Sequence, residues 1–191
     1  MKLYYARNSR AVRVAWLLEE LHLGYEIESF ELGSPDMRSD TYRALHPMGR
    51  VPTLVDGDIT LFESGAIIQY LLAKYGNGRF IPDLNSGAFA AYLQWFHYAE
   101  GMIMPPMNTI VVETILLPPE RRNEVNVKRA TKLLGQMLTS VEQQLAGKTF
   151  LLVEMMHLAF AELAKDQVFQ FGQNELAHDL QQRGLQMAER S

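Results

Sequence analysis

The segment Thr53-Leu54-Val55, Asp56-Gly57, Asp58-Ile59-Thr60-Leu61-Phe62 most restricts what this chain can become. Asp-Gly between two apolar runs is a strong local hairpin signal, because the turn needs positive φ and these residues tolerate it. A lone hairpin is only marginally stable, so neighbouring segments must complete a sheet. Leu3-Tyr4-Tyr5 reads as a short buried strand. Tyr25-Glu26-Ile27-Glu28 alternates apolar and charged residues, which predicts a strand with one buried face. Between these two, Arg10 to Leu23 carries Val14, Leu17, Leu18 and Leu21 at helical spacing, and Gly24 is the expected stop. Ser39 to Leu45 predicts a short helix ended by Pro47. After the hairpin, Glu63-Ser64 opens a helix to about Tyr75, with Ile67, Ile68, Leu71 and Leu72 as its buried stripe. The expected order is β-α-β-α-β-β-α within residues 1–78.

Strand signals fade after Gly76-Asn77-Gly78. Residues 79–87 read as a linker, and residues 88–191 as an all-α helical unit. Phe89, Leu93 and Phe96 start its first helix, which Pro105-Pro106 must kink or break. Pro118-Pro119 separates that helix from the next. Arg121 to Leu145 gives the clearest periodicity, with Ala130, Leu133, Leu134, Met137, Leu138, Val141 and Leu145 on one face and Gly147 at the end. Glu154 to Phe171 and Asn174 to Arg183 are further helical candidates.

Charge and composition narrow the function. The net charge is −4 over 191 residues, with no basic run, which argues against a nucleic-acid partner. No apolar run approaches the roughly 18 residues that span a bilayer, and the N-terminus lacks the pattern of a secretory signal, so no membrane association is expected. There is no cysteine. That removes disulfides, thiolate metal sites and any protein thiol nucleophile, and a reducing cytoplasmic location is the easiest fit. His22, His46, His97, His157 and His178 show no paired ligand spacing, so no metal is expected.

Three places could carry chemistry. In Met48-Gly49-Arg50-Val51-Pro52-Thr53, the proline is either a plain loop residue or a cis proline that leaves the Val51 backbone open to an extended peptide. Ser64, after Glu63, is either an ordinary helix cap or part of an anion site suited to a carboxylate. Ser9, after a strand and turn, is either a cap or a hydroxyl that can donate to a thiolate at a helix N-terminus. Asn8 and Tyr5 are rival donors. Met102, Met104 and Met107 are either core residues or the lining of an adaptable apolar pocket.

Several blocks together resemble the glutathione S-transferase family. They are Leu3-Tyr4-Tyr5, the run Ser9-Arg10-Ala11-Val12-Arg13-Val14-Ala15-Trp16-Leu17-Leu18-Glu19-Glu20-Leu21, His46-Pro47-Met48-Gly49-Arg50-Val51-Pro52-Thr53-Leu54, and Leu61-Phe62-Glu63-Ser64-Gly65-Ala66-Ile67. Tyr92-Leu93-Gln94-Trp95 looks like the start of the family's helical half. The flavour is that of bacterial members that use serine. The resemblance implies a thioredoxin-like N-terminal domain that binds glutathione as co-substrate and an all-helical C-terminal domain that receives a small apolar electrophile. It also implies a homodimer and a role in detoxification. By position, Val51 would pair with the cysteinyl backbone of glutathione and Pro52 would be the cis proline. Glu63 and Ser64 would hold the γ-glutamyl end, Arg50 would lie near the glycyl or cysteinyl part, and Ser9 would hydrogen-bond the thiolate, with Asn8 in that place in some classes. The alternatives are a non-catalytic binding or regulatory protein on the same fold, and a ligand carrier using the methionine-rich cleft.

One block departs from the family. Lys148-Thr149-Phe150-Leu151-Leu152-Val153 runs directly into Glu154-Met155-Met156, without the capping-box serine or threonine and aspartate that open the family's central helix. The tail from Asn174 is also short. Relative to the family, residues are expected to be missing near 153–154 and before 174, either from the sequence as given or through a true deletion.

Overall fold

The computed structural model describes residues 1–146. The helical candidates at 154–171 and 174–183, the stop at Gly147 and the departures near 153–154 and 174 lie outside them. The described chain falls into two compact units, Met1–Phe80 and one that starts at Ile81.

In the first unit the elements are β1 (Lys2–Ala6), α1 (Ala11–Glu20), β2 (Glu26–Phe30), α2 (Asp40–Arg43), β3 (Thr53–Asp56), β4 (Ile59–Phe62) and α3 (Ser64–Tyr75). The four strands form one mixed sheet in the order β2-β1-β3-β4. β1 runs parallel to β2 and antiparallel to β3, and β3 runs antiparallel to β4. Side chains alternate across the sheet, so Leu3 and Leu54, which pair across β1 and β3, share one face. α1 and α3 pack together, and Leu3, Val14, Leu17, Leu18, Leu54, Ile67 and Leu71 are fully buried. Burial of each such side chain contributes about 1.5–3 kcal/mol. Tyr4 points the other way, where the Tyr42 ring of α2 lies 5.2 Å from it and 4.7 Å from Phe30.

The structure corrects four local expectations. The turn residues of the hairpin are Gly57-Asp58 rather than Asp56-Gly57, because Asp56 pairs with Ile59 and Gly57 carries φ 60. Asp56 is instead drawn to α3, where its carboxylate accepts hydrogen bonds from Tyr70 Oη at 2.6 Å, Tyr75 Oη at 2.5 Å and Lys74 Nζ at 3.0 Å. α1 stops before Gly24. His22 takes the left-handed conformation at φ 54, with His22 N–H donating to the Glu19 carbonyl and Leu23 N–H to the Leu18 carbonyl, a Schellman ending on a non-glycine residue. Ile27 is 48% exposed instead of buried, because β2 is an edge strand and the covered pair on that face is Leu3–Leu54. In the second unit the helix widens ahead of Pro105-Pro106 rather than breaking at them, as described next.

The second unit contains α4 (Gly87–Tyr98), α5 (Met104–Val111) and α6 (Glu124–Leu145). Between α4 and α5 the helix widens over Ala99–Ile103, and Met104 N–H bonds to the carbonyl five residues back, at Ala99. Pro105 and Pro106 then fall in the first turn of α5, directly after the widened turn. Pro118 does end the path, with Leu117 extended before it at ψ 141. α6 starts at Glu124 rather than Arg121 because Asn123 caps it, its side chain accepting from the Val125 and Asn126 amides. Ala130, Leu134 and Met137 of α6 are buried, whereas Leu133 is 42% exposed. The buried carboxylate of Glu113 reaches the same helix end, accepting from Asn123 N–H at 2.8 Å and Asn126 Nδ2 at 2.7 Å. The bond from Asn126, then that from the Asn123 amide, holds its pKa below the usual carboxylate range. Met104 is buried and Met102 is 43% exposed.

Candidate functional site: one end of the N-terminal sheet

Strand direction brings the sequence candidates together. Tyr4, near the C-terminal end of β1, pairs with Thr53 at the start of antiparallel β3, and Thr53 pairs with Phe62 at the end of β4. The chain leaving β1 (7–10), the chain entering β3 (50–52) and the chain leaving β4 (63–64) therefore lie at the same end of three adjacent strands.

The turn after β1 is fixed by Ser9. Its half-buried hydroxyl donates to the Ala6 carbonyl at 2.6 Å and accepts from the Ala11 amide at 3.1 Å. It thereby satisfies one of the open amides at the start of α1, a helix with no acidic side chain in its first turn. Asn8 is exposed and held at φ 59, and Tyr5 is half-buried on β1.

The Val51–Pro52 peptide bond is cis. Pro52 is buried, Val51 half-buried and Arg50 exposed. Among the described residues, no backbone group takes the Val51 N–H or C=O. The segment is braced from behind. Tyr42 Oη donates to the Arg50 carbonyl at 2.6 Å and lies 2.9 Å from Thr53 Oγ1. His46 Nδ1 accepts from the Met48 amide at 3.2 Å. Gly49 sits at φ 58, and a Cβ there would meet the Met37 carbonyl at 2.2 Å, so only glycine fits.

At the end of β4, Glu63 adopts φ 71 and ψ 110. A non-glycine residue in such a region stores about 1–3 kcal/mol of strain, and such outliers cluster at ligand sites. Glu63 is exposed, so its carboxylate faces water, while Ser64 is buried as the first residue of α3. Among the described residues no side chain caps α3, and its first turn holds no acidic residue, so its positive end suits an anion.

Sequence reading missed Tyr42, His46 and the strained backbone of Glu63. The His-x-Met spacing at 46–48 was the available signal, because a ring nitrogen can accept from the amide two residues on. Nothing in the local sequence announces the Tyr42 bond, which closes only when α2 folds over the sheet.

Residues 1–73 match the model of the glutathione S-transferase N-terminal domain. Glutathione S-transferase 3 of Zea mays is 31% identical over 160 residues, covering 82% of this chain and 72% of that protein. The chain belongs to the glutathione S-transferase family. Its first unit is accordingly the thioredoxin-like domain of that family. Glutathione S-transferase 3 of Schizosaccharomyces pombe is 36% identical over 104 residues, but the match covers 54% of this chain and only 42% of that relative's length. The crystal structure of a theta class glutathione S-transferase from the citrus canker pathogen Xanthomonas axonopodis pv. citri, with glutathione bound, superposes with a TM-score of 0.72 at 27% identity, covering 90% of this chain and 82% of that one.

Proposed function

We propose that this chain binds glutathione at the shared end of β1, β3 and β4 and activates its thiol for attack on a small apolar electrophile. The convergence of the Ser9 turn, the Val51 backbone and the Glu63-Ser64 helix start carries this assignment. Each part answers one part of the tripeptide. The open Val51 N–H and C=O can pair with the cysteinyl backbone as a short added strand. The Ser64 hydroxyl and the positive end of α3 suit the α-carboxylate of the γ-glutamyl group, and the exposed Glu63 carboxylate suits its ammonium. Arg50 supplies a cation for the glycyl end.

The protein has no thiol of its own, so the nucleophile comes from the bound tripeptide. Ser9 would exchange its bond to the Ala6 carbonyl for one to the thiolate, while the start of α1 lowers the thiol pKa. The electrophile would then be held by the helical unit, which gains rate from proximity. The serine-type, bacterial character of the site, the division into residues 1–78, 79–87 and 88–191, the homodimer, the cytoplasmic location and the role in detoxification belong to the same proposal. Asn8 and Tyr5 remain the rival donors.

Calorimetric titration with glutathione, followed by a panel of aryl halides, epoxides and enones, tests it. Binding with conjugation supports the enzyme. Binding with no turnover on any electrophile points to the non-catalytic protein on the same fold, and the absence of binding at millimolar glutathione removes the assignment altogether.

A further inference from the structure

We propose that His46 is a positioning residue for the glutathione backbone: its ring, seated on Phe62 and bonded to the Met48 amide, holds residues 48–52 in the form that presents Val51. This rests on the glutathione assignment above.

His46 is 5% exposed, unusual for a residue outside any helix or strand. Its ring centroid lies 4.6 Å from that of Phe62, the last residue of β4 and the one before Glu63. Its own amide donates to the Tyr42 carbonyl at 2.9 Å and its carbonyl accepts from Gly49 at 2.7 Å. With Nδ1 accepting from Met48, three bonds from one residue close the turn that leads to Val51. The same ring thus touches the strand that leads into Glu63 and the loop that carries Val51, two of the three parts of the candidate site.

An acceptor at Nδ1 requires a neutral ring with its proton on Nε2. Burial, the largest influence, lowers the His46 pKa. The nearby Glu63 carboxylate opposes this and the Arg50 guanidinium adds to it. Protonation would put a donor where the Met48 amide needs an acceptor. The folded pKa is below the unfolded one, so the unfolded chain binds the extra proton first. The hold on the loop is therefore complete at neutral pH and weakens as pH falls below about 6.5.

Three proteins separate this role from simple packing: wild type, His46→Leu and His46→Asn. Leucine fills the slot without an acceptor, whereas an asparagine oxygen can accept from the amide two residues on. His46→Leu should raise the dissociation constant and KM for glutathione about three- to tenfold, the cost of one hydrogen bond, with kcat nearly unchanged. His46→Asn should restore the affinity and remove its acid sensitivity. Amide exchange at Met48, measured without glutathione, should speed up in His46→Leu and return in His46→Asn. In wild type the Met48 protection should fall on acidification below the ordinary histidine range but persist in His46→Asn, a comparison that stands if His46→Leu does not fold. Equal affinities together with unaltered Met48 exchange would overturn the role of His46. Failure of wild type to bind glutathione would instead remove the functional assignment, and the Met48 exchange would still decide whether His46 holds the loop.

Discussion

The Ser9 hydroxyl already has two partners, and that shapes what its removal should do. It bonds the Ala6 carbonyl at 2.6 Å and the Ala11 amide at 3.1 Å, so it is both a brace of the turn and the candidate thiolate donor. Ser9→Ala should lower conjugation roughly ten- to a thousandfold, the range for losing one donor to a developing or resident anion. Steady-state kinetics check this, and unchanged turnover, or a larger loss in Asn8→Ala or Tyr5→Phe, moves the role to that residue. His22 offers a residue-scale test of stability. An L-residue in the left-handed region costs about 1–2 kcal/mol, and glycine avoids that at a smaller cost in unfolded-chain entropy. His22→Gly should therefore stabilise the protein by about 0.5–1 kcal/mol in urea unfolding. A lower midpoint would show that the exposed His22 ring contributes something the backbone does not reveal. The placement of Val51, Pro52, Glu63 and Ser64 at one sheet end was legible in the sequence because each sits at the boundary of a strongly signalled element. Tyr42 and His46 were not, because their bonds join segments whose proximity only the folded chain creates.

Between elements, Asp56 ties the hairpin to the last turn of α3. Hydrogen bonds from Tyr70, then Tyr75, hold its carboxyl down at about 2. Its unfolded value is near 3.8, so the folded state favours the charged form. This contribution is whole above about pH 4 and is lost as pH falls through about 2. Asp56→Asn should destabilise the protein by about 1–3 kcal/mol at pH 7, the cost of weakened charged hydrogen bonds, and the gap to wild type should close between pH 4 and 2. Denaturant midpoints at several pH values measure it, and a gap that stays constant down to pH 2 contradicts the link. Asp56-Gly57 was read from sequence as turn chemistry alone. Its actual partners lie 14 to 19 residues away on a helix, beyond the reach of a local pattern. The prolines at 105 and 106 announced an interruption of the regular helix, but not its form, because a widened turn at 99–103 lies just before them and depends on more than their local rule.

At the scale of the molecule, the order of strands and helices in residues 1–78 was legible because hairpin, caps and apolar periodicity all point to one arrangement. The buried Glu113 that fastens the start of α6 was not, because a lone glutamate in an apolar stretch gives no hint that its partners are the amide and side chain of residues 123 and 126. The fold places one hydroxyl, one open backbone segment and one helix start at a common sheet end, and under the proposed function the reactive sulfur comes from glutathione. The most direct test is a pH titration of the thiolate absorbance of glutathione in complex with the protein. The thiol should ionise at least about one unit below its value in free solution, as helix N-termini do to sulfhydryls. A bound thiol that titrates as it does in water would contradict the account, because the site would then hold the tripeptide without activating it.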